Sequence, residues 1–240
     1  MENLRNVGVP FGISVTATRH NAELITSDEF IDFFFDKQGA TYGWIFQYMP
    51  IGRKHTLDLM VTPEQRLEML KRTFTIVREK KIFIADFWNS GTVSNGCIAA
   101  GRSGGYFHID WDGDITPCAF VPYATGNIRE IYERGGNLND ALFCPLLKKI
   151  REWQDEYGYA RPADETGNWL VPCVIRDHYD EFFKAATSCN AEPLDQEAQQ
   201  ALDDTEYHKG MVQYGKDYAS LTEPIWKQEY LSRELAEVNK

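Results

Sequence analysis

The chain has 240 residues, 43% hydrophobic and 13% aromatic, with a formal net charge of −11 at pH 7. That is enough apolar material for one or two packed domains. It is also too acidic for a partner gripped through a nucleic-acid backbone, which needs a basic face. No apolar run reaches the roughly 18 residues that would suggest a membrane span. The opening MENLRNVGVPFG lacks the cationic start and apolar stretch of a secretory leader. A cytoplasmic protein with neither nucleic acid nor membrane as partner is therefore expected.

Residues 10–21, PFGISVTATRHN, are rich in β-branched side chains and predict a strand. Thr26 and Glu29 suggest a capping box ahead of FIDFFF, a helix that should stop near Gly39 and pack its aromatic run Phe33, Phe34 and Phe35 in a core. Residues 42–50, YGWIFQYMP, predict a second strand. Thr62, Pro63 and Gln65 combine an N-cap, a proline at the first helical position and a capping-box partner. Leu67, Leu70, Phe74 and Val77 continue that helix at helical spacing. IFIADFW, 82–88, is a third strand. This β-α-β-α-β order predicts a parallel sheet with helices outside. Two and a half such units cannot close a barrel. NLRNVGVPF also resembles a helix end entering a strand in mid-fold. More sheet is thus expected upstream or on another chain.

After residue 90 the style changes. In GGYFHIDWDGDITPC, residues Phe107, Ile109 and Trp111 alternate with Tyr106, His108 and Asp110, and Asp112-Gly113 offers a hairpin turn. A helix is expected over 138–157, then a loop containing VPCVIRDHY, then a polar, helix-prone tail that is either solvated or docked on a partner.

Five cysteines stand at 97, 118, 144, 173 and 189. An odd number in a long chain without a leader argues against a disulfide framework. Zinc is disfavoured because its ligands usually come in close pairs such as C-x2-C, and none exists here. The hairpin between Cys97 and Cys118 brings its ends together, and two thiolates on such a frame suit a soft metal centre. Spacing alone leaves open that both are ordinary buried cysteines.

Cys97, Gly113 and Cys118 form C-x15-G-x4-C, within NGCIAAGRSGGYFHIDWDGDITPCAF. TGNIREIY follows, then VPCVIRDHY with Cys173. These words resemble the SPASM or twitch extension of radical SAM enzymes, over roughly residues 5 to 180. GISVTATRHN and FQYMPIGR resemble the fifth and sixth barrel strands of that family. The resemblance implies an α/β fold: the C-terminal part of a partial (β/α)6 barrel over 1–90, a small β-hairpin and helix module for an auxiliary iron–sulfur cluster over 91–190, and a helical polar tail over 191–240. It implies reductive cleavage of S-adenosylmethionine and hydrogen abstraction from a peptide or small-molecule substrate by the complete oxidoreductase. One auxiliary [4Fe-4S] cluster would be held by Cys97, Cys118 and Cys173, with Cys144 as one option for the fourth ligand.

The chain departs from that pattern. The C-x3-C-x2-C that anchors the radical-generating cluster is absent, as is the C-x2-C-x5-C-x3-C group of a full SPASM module. The chain alone is thus not expected to form the radical, and the missing barrel half would come from a separate chain. On the S-adenosylmethionine side, the candidates are Ser14 and Thr16, whose alternation would turn them to a barrel lumen, Asn21 at the C-terminal end of their strand, and Gln47 equivalently on the next strand. His178 is a candidate for orienting the Cys173 loop, and Arg176 and Asp177 are expected to pair locally. The alternatives are a non-catalytic peptide-binding module and a scaffold subunit that completes a barrel with another chain.

Overall fold

The structure, a computed structural model, describes residues 1–231. A short helix, α1 (Glu2–Asn6), leads into a parallel sheet of β1 (Gly12–Ala17), β2 (Tyr42–Gln47) and β3 (Phe83–Asp86), paired in that order. Helices α2 (Ala22–Ile25) and α3 (Asp28–Ile31) join β1 to β2, and α4 (Pro63–Thr75) joins β2 to β3. This is the expected α/β arrangement, with each strand shorter than its sequence run.

The register opposes Ile13 to Gly43 and Val15 to Ile45. These residues share the face that packs on the helices, with Ile25, Ile31, Met69, Ile76 and Ile84. Ser14, Thr16, Trp44 and Phe46 therefore occupy the other face. Ser14 and Thr16 are exposed there.

Helix α4 starts as its sequence suggests. Thr62 Oγ1 accepts from the Gln65 N–H at 3.2 Å, and Gln65 Oε1 accepts from the Thr62 N–H at 3.0 Å. Its buried stripe is different, namely Arg66, Met69, Leu70 and Thr73. Leu67 and Phe74 pack instead with Trp226 and Tyr230 from the C-terminal region, and Val77 is exposed. The first capping box is also corrected. Ser27, not Thr26, caps α3 by accepting from the Phe30 N–H, while the Thr26 hydroxyl turns back to the Ala22 carbonyl. Of the aromatic run only Phe35 is buried, and Phe33 is exposed, because successive helical residues point in different directions.

The next segment is built on short ladders: β4 (His108–Ile109) with β5 (Ile115–Thr116), and β6 (Tyr123–Ala124) with β7 (Glu192–Pro193). Between β4 and β5, Asp110 donates its N–H to the Asp114 carbonyl and Gly113 sits at φ +91°. The hairpin thus has a three-residue loop closed by a left-handed glycine, not a two-residue turn. Trp111 falls in that loop and is 87% exposed, so the alternation that began at Phe107 ends at Ile109. Helix α5 (Ile128–Glu133) follows. The helix expected over 138–157 breaks at Pro145 into a 3₁₀ segment, Leu138–Phe143, and α6 (Pro145–Gln154), which runs on as a wide turn to Tyr159.

Helices α7 (Val174–Asp177), α8 (Tyr179–Ser188), α9 (Gln196–Asp203) and α10 (Thr205–Ile225) complete the chain's regular structure up to a last wide turn, Trp226–Leu231. The tail is not a solvated appendage. Tyr207, Met211, Gly215, Tyr218 and Thr222 form the buried stripe of α10. Tyr207 and Met211 share one core with Met49 and Trp88 from the sheet half and Leu146, Leu147 and Ile150 from α6. The end of the expected tail, 232–240, lies outside the described residues. Among the described residues no helix is long and apolar enough to cross a membrane.

Candidate functional site

A cavity of about 400 Å³ opens along β3 and continues past its C-terminal end. Its walls include Trp44, Phe83, Phe87, Trp88 and Phe120, and it receives Cys97, Cys118 and Cys173. The volume is that of a small-ligand site. Three cysteines distant in sequence thus line one mostly apolar space.

Each cysteine is placed by a different local device. Cys97 precedes a tight segment whose Ala100 adopts φ +64°. That left-handed conformation costs a non-glycine residue about 1 kcal/mol or more. It is held by the Ala100 N–H donating to the Pro117 carbonyl at 2.8 Å, which ties the Cys97 segment to the residue before Cys118. The Cys97 carbonyl accepts from Arg102 Nε at 2.6 Å, Tyr159 Oη at 3.2 Å and Gln154 Nε2 at 3.3 Å. Cys118 follows β5, and its Sγ lies 2.9 Å from Tyr106 Oη. Cys173 caps the short α7, where its N–H donates to Asp177 Oδ2 at 3.1 Å.

Asp177 does not pair with Arg176. It pairs with Arg66 of α4 through Nη1–Oδ1 at 2.5 Å and Nη2–Oδ2 at 3.2 Å, with both side chains fully buried. Burial opposes the Arg66 charge, but Asp177 beside it keeps the guanidinium firmly cationic. Arg66 also donates to Asn89 Oδ1, which accepts from Tyr218 Oη at 2.9 Å. Asn89 in turn donates to Asp86 at 2.9 Å. A buried polar chain therefore runs from the end of β3 through α4 and α10 to the Cys173 loop. Arg176 is buried elsewhere, with its Nη2 donating to Tyr214 Oη at 2.9 Å.

His178 holds the same loop from below. Its Nε2 lies 2.7 Å from the Val171 carbonyl, and its ring sits against Trp153 and Tyr157. A carbonyl only accepts, so Nε2 carries the proton. Burial lowers the pKa of the ring and favours its neutral form.

Burial raises the pKa of all three cavity thiols. For Cys97, burial outweighs the N–H groups of Ala99 and Val174, which favour the thiolate. Burial likewise moves Cys118 to about 11, against the help of Tyr106. Cys173 is pushed well above its ordinary value, first by burial and then by the neighbouring Cys97, Asp177 and Cys118. Burial thus favours the neutral form of these thiols, and a metal centre with positive charge would displace their protons. Among the described residues, no group of three or more His, Cys, Asp or Glu side chains is arranged to hold a single metal ion. The donor set is three soft thiols on one cavity wall, a ligand chemistry suited to iron–sulfur groups.

The other candidates lie apart from these sulfurs. Cys144 is buried before α6, its sulfur close to Gly126, and does not line the cavity. Gln47 pairs with Ala17 on the helix-facing side of the sheet, where its Nε2 donates to Asp86 Oδ2 at 2.8 Å. Asn21 is used locally, accepting from the Thr18 N–H at 2.7 Å and donating to the Thr16 carbonyl at 3.0 Å. Ser14 and Thr16 remain free to face a ligand or partner on the open face. Neither Arg66 nor Asp177 carries a local sequence mark that assigns it to the site. Tyr106 carried one signal, since it stands on the hairpin face opposite Phe107.

Comparison of the chain with family models, curated proteins and solved structures finds no match.

Proposed function

We propose that this chain is the C-terminal part of a radical SAM enzyme, with one auxiliary [4Fe-4S] cluster held by Cys97, Cys118 and Cys173. The supporting observation is that sulfurs from three separate segments line the same cavity past the end of β3. When bound, such a cluster supplies one-electron transfer. The three cysteines would ligate it. Phe87, Trp88 and Phe120 would keep water from it, and the N–H groups facing Cys97 would favour its anionic ligand. Asp86 is the carboxylate in the cavity wall, and its oxygens are already taken by Gln47, Trp88 and Asn89. A fourth ligand would come from substrate or from a partner. Ser14 and Thr16, with the open face of the sheet, would meet the half of the barrel that carries the radical-generating motif. The substrate, a peptide or a small molecule, would enter from that side, and the chain would work in the cytoplasm.

Anaerobic reconstitution with iron and sulfide tests the reading. About four irons per chain are expected, with loss on replacing Cys97, Cys118 and Cys173 by Ala and retention on Cys189→Ala. Uptake should strengthen as pH rises from 6 to 9, because each of the three thiols must release its proton. A folded wild-type chain that stays colourless and iron-free at every pH would refute the proposal.

A further inference from the structure

We infer that the Tyr106 hydroxyl raises the reduction potential of the cluster by hydrogen bonding to Cys118; this rests on the ligand set proposed above. Tyr106 is fixed from both sides by the segment that follows Cys97. Its N–H donates to the Ile98 carbonyl at 2.9 Å, and its carbonyl accepts from the Gly101 N–H at 2.9 Å. Its side chain lines the cavity, and Oη lies 2.9 Å from Cys118 Sγ. No other hydroxyl among the described residues is hydrogen-bonded to the three cavity sulfurs. Between a free thiol and a phenol the bond runs in either direction. A ligating thiolate has no proton, so the phenol becomes the donor.

The direction of the effect follows from charge. One-electron reduction puts more negative charge on the cluster and its sulfurs. A donor aimed at sulfur stabilises the reduced form more than the oxidised form. The electron comes from a low-potential one-electron reductant, and no bond at Tyr106 forms or breaks.

The test uses the full chain, reconstituted anaerobically and titrated with dithionite under electron paramagnetic resonance. Tyr106→Phe is expected to keep its iron and to shift the midpoint to more negative potential. A tenfold change in the reduction equilibrium corresponds to about 59 mV for one electron, and a shift of this order is expected. Tyr159→Phe removes a hydroxyl that meets the Cys97 carbonyl instead of a sulfur, and should shift the midpoint less. The iron–sulfur stretching bands of Tyr106→Phe should also move, reporting the lost bond at the sulfur. A midpoint equal to wild type overturns the inference. So does an equal shift in both variants, or loss of iron from Tyr106→Phe, which would make the hydroxyl a mere support for Cys118. A wild-type chain that takes up no iron would instead sink the proposed function itself.

Discussion

The sheet half, residues 12–86, and the cysteine-bearing half, residues 97–177, are held together in different ways. In the first, parallel ladders and helix faces set the shape. In the second, the ladders are two residues long, and side chains bonded to backbone position the loops over an apolar core. Regular structure tolerates local change because its bonds are many and alike. A loop positioned by a few unlike bonds gains accuracy at one place and depends on each of them. The cavity lies where the two halves meet, and the Arg66–Asp177 pair is a fully buried ion pair across the seam.

Arg66→Met should break the comparison most severely. It leaves the Asp177 carboxylate buried without its cation, a change that typically costs about 3–5 kcal/mol. Urea unfolding followed by tryptophan fluorescence reads the loss. A change below about 1 kcal/mol would mean that the halves do not depend on this pair.

Gly215→Ala should act at the same seam with a smaller effect. A Cβ at Gly215 of α10 would stand 2.1 Å from the Asp177 carbonyl oxygen, so the helix must back away from α7. Overpacking of this kind costs about 1–3 kcal/mol. Thermal unfolding measures it, and amide exchange around 173–178 should rise with it. Unchanged exchange there would show that α10 does not hold the Cys173 loop.

Thr62→Ala, confined to the sheet half, should have the smallest effect. It removes one half of the α4 capping box, at about 1 kcal/mol. The same urea measurement applies, and iron uptake should be unaffected. A large loss of uptake would show that the start of α4, not only Arg66, positions the site.

The same division explains what could be read in advance. The capping box at Thr62 and Gln65, the order of the three strands and the presence of Cys97 and Cys118 on one cavity wall are all local signals, or one hairpin removed from local. The buried stripe of α4 departs from the spacing of its apolar residues because this helix packs on two sides, against the sheet and against Trp226. Arg66 and Asp177 are 111 positions apart, and nothing local marks either as the other's partner. Arg176 beside Asp177 looked the nearer partner, yet helix α7 turns the two side chains apart. Helix α10 concealed its core stripe in polar letters. Tyr207, Met211, Gly215, Tyr218 and Thr222 recur at helical spacing, but only one is a plain hydrocarbon-like side chain.

Helix α10 follows all three cavity cysteines in chain order, yet Tyr218 on it supports the Asn89–Arg66 link that reaches the Cys173 loop. A nascent chain halted before residue 205 would carry every thiol and lack this brace. The last helix to be made is therefore the one that completes the support of a loop finished some thirty residues earlier.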